Sequence, residues 1–233
     1  MRHVLAFAAA LLLTLGCARD GAAQGAAFPR PERPVASIVS PRWSADADRD
    51  RINESGQIAQ GLKLKAGMTL ADIGAGSGYH TFRLAAVVGA TGRVYAEDIM
   101  QRYLDALEAD VARRKLGNVT VVRGNADDPK LPEGAIDAAI MVHMYHEIEQ
   151  PFALLYNLVP AFRAGGRLAI VDQDAPTFNH GTPPDLLRCE LAAVGYRQVS
   201  FAKLKDDDAY LAIFAPPALR DRPQPLAIKA CKG

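Results

Sequence analysis

The chain has 233 residues, 49% of them hydrophobic, which is enough for one sizeable core. Its formal net charge is +1, which argues against a dedicated nucleic-acid binder, since such proteins carry a basic surplus or stripe. Its three cysteines, Cys17, Cys189 and Cys231, form neither a disulfide framework nor a Cys/His metal cluster by spacing. Cys189 is expected as a small core residue.

Arg2 and His3 precede an apolar run from Val4 to Leu15. That run is too short to span a bilayer and has the length of a signal-peptide core, so 1–16 is expected to be a signal peptide. Thr14-Leu15-Gly16-Cys17 resembles a bacterial lipobox, which would make Cys17 a lipidated membrane tether. It departs from the usual pattern in having Thr14 where Leu is normal. Cleavage after Ala23 or Gly25, in a small-residue stretch, is the other route. The expected location is therefore exported, either periplasmic or membrane-anchored; an unused leader would leave the protein in the cytoplasm.

Residues 17–42 are rich in Ala, Gly, Pro and Arg without helical or strand period, and read as a flexible linker. One folded domain is expected over 43–215. It opens with a helix over 48–62, which carries Ile52, Gly56, Ala59 and Leu62 on one face. Apolar strands at 68–73, 93–97, 119–122 and 136–142 follow, with helices at 79–88 and 101–116 between them. A helix over 151–162, a strand over 167–171 and a helix from Thr182 to Gly195 come next. Two strands, 196–204 and 209–214, close the domain. The proline-rich stretch 216–233 is expected to be mobile. Strand–helix alternation of this kind predicts an α/β, Rossmann-like, seven-stranded, mostly parallel sheet with helices on both faces and an antiparallel last pair.

The informative motif is Asp72-Ile73-Gly74-Ala75-Gly76-Ser77-Gly78, at the change from the first strand to its helix. Ligands of open α/β sheets bind at such strand ends, and glycine lets backbone approach them closely. The spacing is not the Gly-x-Gly-x-x-Gly of dinucleotide sites. Arg93-Val94-Tyr95-Ala96-Glu97-Asp98 ends the next strand in two acids. Gly124-Asn125-Ala126-Asp127 follows the third strand, and Arg163-Ala164-Gly165-Gly166-Arg167 precedes the fifth.

Together these segments resemble class I S-adenosylmethionine-dependent methyltransferases, in particular the small-molecule and quinone-type group, over about 52–214. The resemblance implies S-adenosylmethionine as cofactor. Asp72, Gly74, Ala75, Gly76, Ser77 and Gly78 would hold it, with Asp98 on the ribose hydroxyls and Asn125 and Ala126 at the adenine. Asn125 replaces the family's usual Asp there and carries no charge. Glu97 is expected to point the other way from its strand.

The fourth strand delivers His143-Met144-Tyr145-His146-Glu147 to the same sheet edge, and the resemblance places this segment beside the reacting methyl group. His146 is the candidate base, Glu147 its orienting acid and Tyr145 a lining residue. A metal held by His143 and His146 lacks a third ligand at convincing spacing, so no metal is expected. Asp172, Asp174 and His180 lie where they could border the pocket. The expected function is methyl transfer to a small-molecule acceptor, with no nucleic-acid partner. The alternative is a nucleoside-binding protein without turnover, because S-adenosylmethionine is made in the cytosol and an exported enzyme would need it delivered.

Overall fold

The computed structural model describes residues 28–38 and 46–232. The expected signal peptide, the lipobox with Cys17 and both alternative cleavage points lie outside these residues, as does part of the expected linker. Among the described residues no helix is long and apolar enough to cross a membrane.

Two short helices, α1 (Asp46–Arg51) and α2 (Glu54–Leu62), lead into strand β1 (Thr69–Ile73). Then come α3 (Tyr79–Val88), β2 (Arg93–Asp98), α4 (Gln101–Arg114), β3 (Val119–Arg123) and β4 (Ile136–Val142). The chain continues through α5 (Pro151–Leu158), β5 (Phe162–Gln173), α6 (Pro184–Ala193), β6 (Arg197–Lys203) and β7 (Ala209–Ala215). The strands form one seven-stranded sheet in the order β3-β2-β1-β4-β5-β7-β6. β1 to β5 run parallel, and β7 pairs antiparallel with both β5 and β6. The expected fold class is the observed one.

Alternation along the strands builds two apolar layers. Ala71, Ile73, Ala139 and Met141 pack against Phe152, Leu155 and Leu187 of α5 and α6. Leu70, Ala138 and Ile140 pack on the other side against Ile58, Leu84 and Leu107 of α2, α3 and α4. With both faces covered, β1 is buried along its whole length, as its apolar sequence requires. From the central pair β1 and β4 the strand order runs outward in opposite directions. Their carboxyl ends therefore flank the crevice where a ligand fits.

Several expectations are corrected. The first helix is two, broken at Asn53, whose φ of +52° is left-handed. The helix expected over 151–162 stops at Leu158, passes through a single 3-10 turn over Val159–Ala161, and enters β5 at Phe162 rather than 167. Gly165 and Gly166, expected to precede the fifth strand, lie inside it, where pairing with β4 shifts between Ile136 and Ala138.

The expected linker and tail are also anchored to the domain, through buried Arg33, Ala36, Ile228 and Cys231. Arg33 is buried and pairs with Glu190 of α6 at 2.9 Å. The Ala36 N–H donates to the His146 carbonyl at 3.1 Å. Cys231 of the tail is disulfide-bonded to Cys189 of α6, 42 residues away. A bridge between Glu32 and Lys232 joins the two ends of the described chain. Local spacing cannot show such a disulfide, because it closes only when the tail folds back over α6.

Candidate functional site

The crevice opens into a cavity of 310 Å³ between the β1–α3 loop and the ends of β2 and β4. Asp72, Gly74, Ala75, Gly76 and Ser77 line it, as do Asp98, Asn125 and Ala126. Gly78 does not. It starts α3 at φ +81°, against Phe82 and Leu107, so its missing side chain serves packing. Gly76 differs. It holds φ +54°, and the nearest atom to a Cβ placed on it is the Gly74 carbonyl at 4.0 Å. Its bare backbone faces open space in the cavity.

Asp98 fixes this loop. One carboxylate oxygen accepts the Gly76 N–H at 2.9 Å and the other accepts the Met100 N–H at 2.8 Å. Each oxygen retains a lone pair for a ligand hydroxyl. Asp72 is buried under the loop and accepts the Thr81 hydroxyl at 2.6 Å. Burial pushes its carboxyl up to about 6, against that hydrogen bond.

Glu97 does not point away, as alternation had suggested. It lines the cavity beside Asp98, because Gly124 leaves room that a Cβ would fill. One oxygen accepts a long 3.4 Å bond from the Gly74 N–H. The other, Oε1, is buried without a hydrogen-bond partner among the described residues. Burial pushes this carboxyl up to about 8, assisted by the nearby Asp98 and Asp72.

The β4 segment divides between cavity and interior. His143, Met144 and Glu147 line the cavity. Tyr145 and His146 do not, which corrects the role expected for Tyr145. Its phenol is buried and donates to Glu190 at 2.8 Å. His146 is fully buried, and its Nδ1 lies 3.0 Å from Asp172. Glu147 does not orient it: its carboxylate stands 4.0 Å from His146 Nε2. A single 3-10 turn, Tyr145–Glu147, sends the three side chains in different directions.

Sequence reasoning missed a cluster from the two leading helices. Glu54 of α2 is buried among Arg49 at 2.9 Å, His80 at 3.2 Å and His143 at 2.7 Å. Burial alone would raise its carboxyl, but the hydrogen bonds to His143 and His80 outweigh it and hold it well below the usual range. His80 is pushed down to about 4, mainly by burial. His143 is the cavity-facing member and holds a left-handed φ of +53°, a conformation often kept at functional sites. Acidic and basic residues in an exposed-looking helical stretch carry no local mark of this convergence.

The comparisons bear on this geometry. Residues 70–166 match the family model described as a methyltransferase domain. A demethylmenaquinone methyltransferase from Geobacillus sp. (strain WCH70) is 25% identical over 116 residues, which cover 50% of each chain. The chain thus spans about half the length of that curated relative. Among solved structures, an S-adenosylmethionine-dependent methyltransferase from Aquifex aeolicus is similar with a TM-score of 0.65 at 20% identity, covering 73% of this chain and 98% of its own. The [4+2]-cyclase SpnF is similar with a TM-score of 0.64 at 15% identity, covering 80% and 87%. These two likenesses establish the fold; chemistry has to be argued from the site. Residues 70–166 are thus similar to a methyltransferase domain in sequence, and the surrounding sheet is similar to such enzymes in fold.

Proposed function

We propose that this protein transfers a methyl group from S-adenosylmethionine to a small-molecule acceptor. The observation that carries this reading is the Gly74–Ser77 loop tied by Gly76 to the Asp98 carboxylate, with bare backbone facing the cavity. These residues fit the cofactor. Asp98 offers lone pairs to ribose hydroxyls, and Asn125 and Ala126, which line the same cavity, are the residues we assign to the adenine. The buried acids Asp72 and Glu97 suit a ligand bearing cationic groups. When bound, the cofactor supplies a methyl carbon already activated on a sulfonium. The protein then has to align the acceptor, exclude water and take up a proton where the acceptor carries one.

His143, backed by Glu54, is the residue placed to receive that proton from an acceptor in the cavity. The expected base His146 lies behind the lining, with Nδ1 engaged by Asp172. A quinone-like or phenolic acceptor suits the similarity to the demethylmenaquinone enzyme. Export is part of the same reading: the Cys189–Cys231 disulfide supports an oxidising compartment, which agrees with the apolar leader. The same disulfide favours a second reading, cofactor binding without turnover, since an exported protein lies away from the site of cofactor synthesis.

Calorimetry with S-adenosylmethionine and its demethylated product tests the cofactor site. Asp98→Ala should weaken both by at least ~10-fold, the worth of one charge-assisted hydrogen bond. Unchanged affinity would remove Asp98 from the site. Transfer of radiolabelled methyl to a component of fractionated cell extract supports turnover; tight binding with no labelled product supports the second reading.

A further inference from the structure

At the cavity wall, Glu147 and, behind it, His146 and His180 bring one ligand atom each to within 4.8 Å of one another. We propose that these three residues hold a divalent first-row transition metal, of which zinc is the representative, with an open position for an oxygen ligand. The assignment stands on the geometry around His146 and goes beyond the transfer reading.

His146 carries the argument. Its ring is fully buried, and Nδ1 faces both oxygens of Asp172 at 3.0 and 3.1 Å. Asp172 is itself fully buried and held by the Thr182 hydroxyl at 2.7 Å and the Gln173 N–H at 2.9 Å. A carboxylate fixed in this way accepts a hydrogen bond from Nδ1–H and so leaves the ring lone pair on Nε2. That arrangement supports metal-binding histidines, because it sets the tautomer and raises ligand basicity. Nε2 has no hydrogen-bond partner among the described residues. A buried polar nitrogen left in that condition is costly, and the Glu147 carboxylate is too distant for a hydrogen bond at 4.0 Å. A cation beside Nε2, within reach of the Glu147 carboxylate, would satisfy that nitrogen and balance the buried Asp172 charge.

The donors are two imidazole nitrogens and one carboxylate. This set suits zinc and its neighbours, and three protein ligands leave a coordination position open, as in catalytic rather than structural sites. Ring planes of His146 and His180 meet at 83° with centroids 5.4 Å apart, so both can present a nitrogen edge to one point. Glu147 also lines the cofactor cavity. The open position therefore belongs to water or to a hydroxyl-bearing small molecule on the acceptor side. His180 lies 34 residues from His146, in the loop between β5 and α6. Sequence spacing therefore offered no third ligand.

The test uses the untagged full chain with its disulfide intact, freed of metal by chelator. Zinc is titrated in competition with a chromophoric chelator. The wild type should bind one zinc per chain. His180→Ala and Glu147→Gln should each weaken that binding by at least ~100-fold, more than loss of a ligand's supporting partner costs. Both substitutions lie outside the fully buried core, and an unchanged thermal melt without metal verifies folding. Absence of saturable binding in the wild type, or binding that survives either substitution, overturns the site. In His180→Ala, which lies outside the cavity lining, loss of zinc binding with retained S-adenosylmethionine binding supports a metal site distinct from the cofactor pocket.

Discussion

The cofactor cradle can be challenged at Gly76. In Gly76→Ala the new methyl meets nothing closer than 4.0 Å in the free protein, so the variant should fold. Its left-handed φ of +54° costs an alanine roughly 1–2 kcal/mol, a fall in Tm of about 2–8 °C for a domain of this size. Binding should suffer separately. A cofactor lying against the loop must give way to the added carbon, and overpacking of this kind costs about 1–3 kcal/mol, or roughly 5–150-fold in Kd. Gly134→Ala is the control: it has a similar φ of +58°, open space around it and no place in the cavity lining. Calorimetry and thermal melts on both variants should show similar losses of stability but weakened S-adenosylmethionine binding in Gly76→Ala alone. Equal Kd values for the two variants would refute close approach of the cofactor to this loop.

Glu97 predicts a pH dependence. Its carboxyl ionises near 8 when folded and near 4.5 when unfolded. Between those values the folded state keeps a proton that the unfolded state has released, so stability falls as pH rises through the window, by up to roughly 1.4 kcal/mol per pH unit. Glu97→Gln should flatten this fall in urea melts at pH 5 and pH 8; an unaltered slope would show that Glu97 is ionised in the folded protein. The disulfide closes a span of 42 residues, which in the chain-entropy account stabilises by about 4 kcal/mol. Replacing Cys189 and Cys231 together with serine should lower the urea midpoint and remove its sensitivity to reductant, whereas identical midpoints would mean that the bond contributes nothing.

The sheet was legible because its signals are local. Apolar runs bounded by glycine at 74, 89, 117 and 195 mark the strand–helix units, and alternation of such units admits few topologies. The cradle was legible for the same reason. Gly74, Gly76 and Asp98 lie at strand ends, and strand ends of a parallel sheet share one edge. The breaks at Asn53 and Phe162 were less visible, since a periodic apolar pattern continues across both.

By itself, the sequence determined the fold class, the position of the crevice and the glycine–acid pair that shapes it. Tertiary structure alone decided which side chains face the cavity. In one turn of 3-10 helix Tyr145 points to Glu190, His146 to Asp172 and Glu147 to the cavity, and no pattern in Tyr-His-Glu encodes that choice. The convergence of Glu54 on His143, 89 residues apart, and of Cys189 on Cys231 depends equally on packing. The physical reason is the range of the interactions. Backbone periodicity and glycine geometry act over a few residues and leave a trace in composition. Burial of a charge or closure of a disulfide takes partners from distant segments, and those partners meet only after both faces of the sheet are covered.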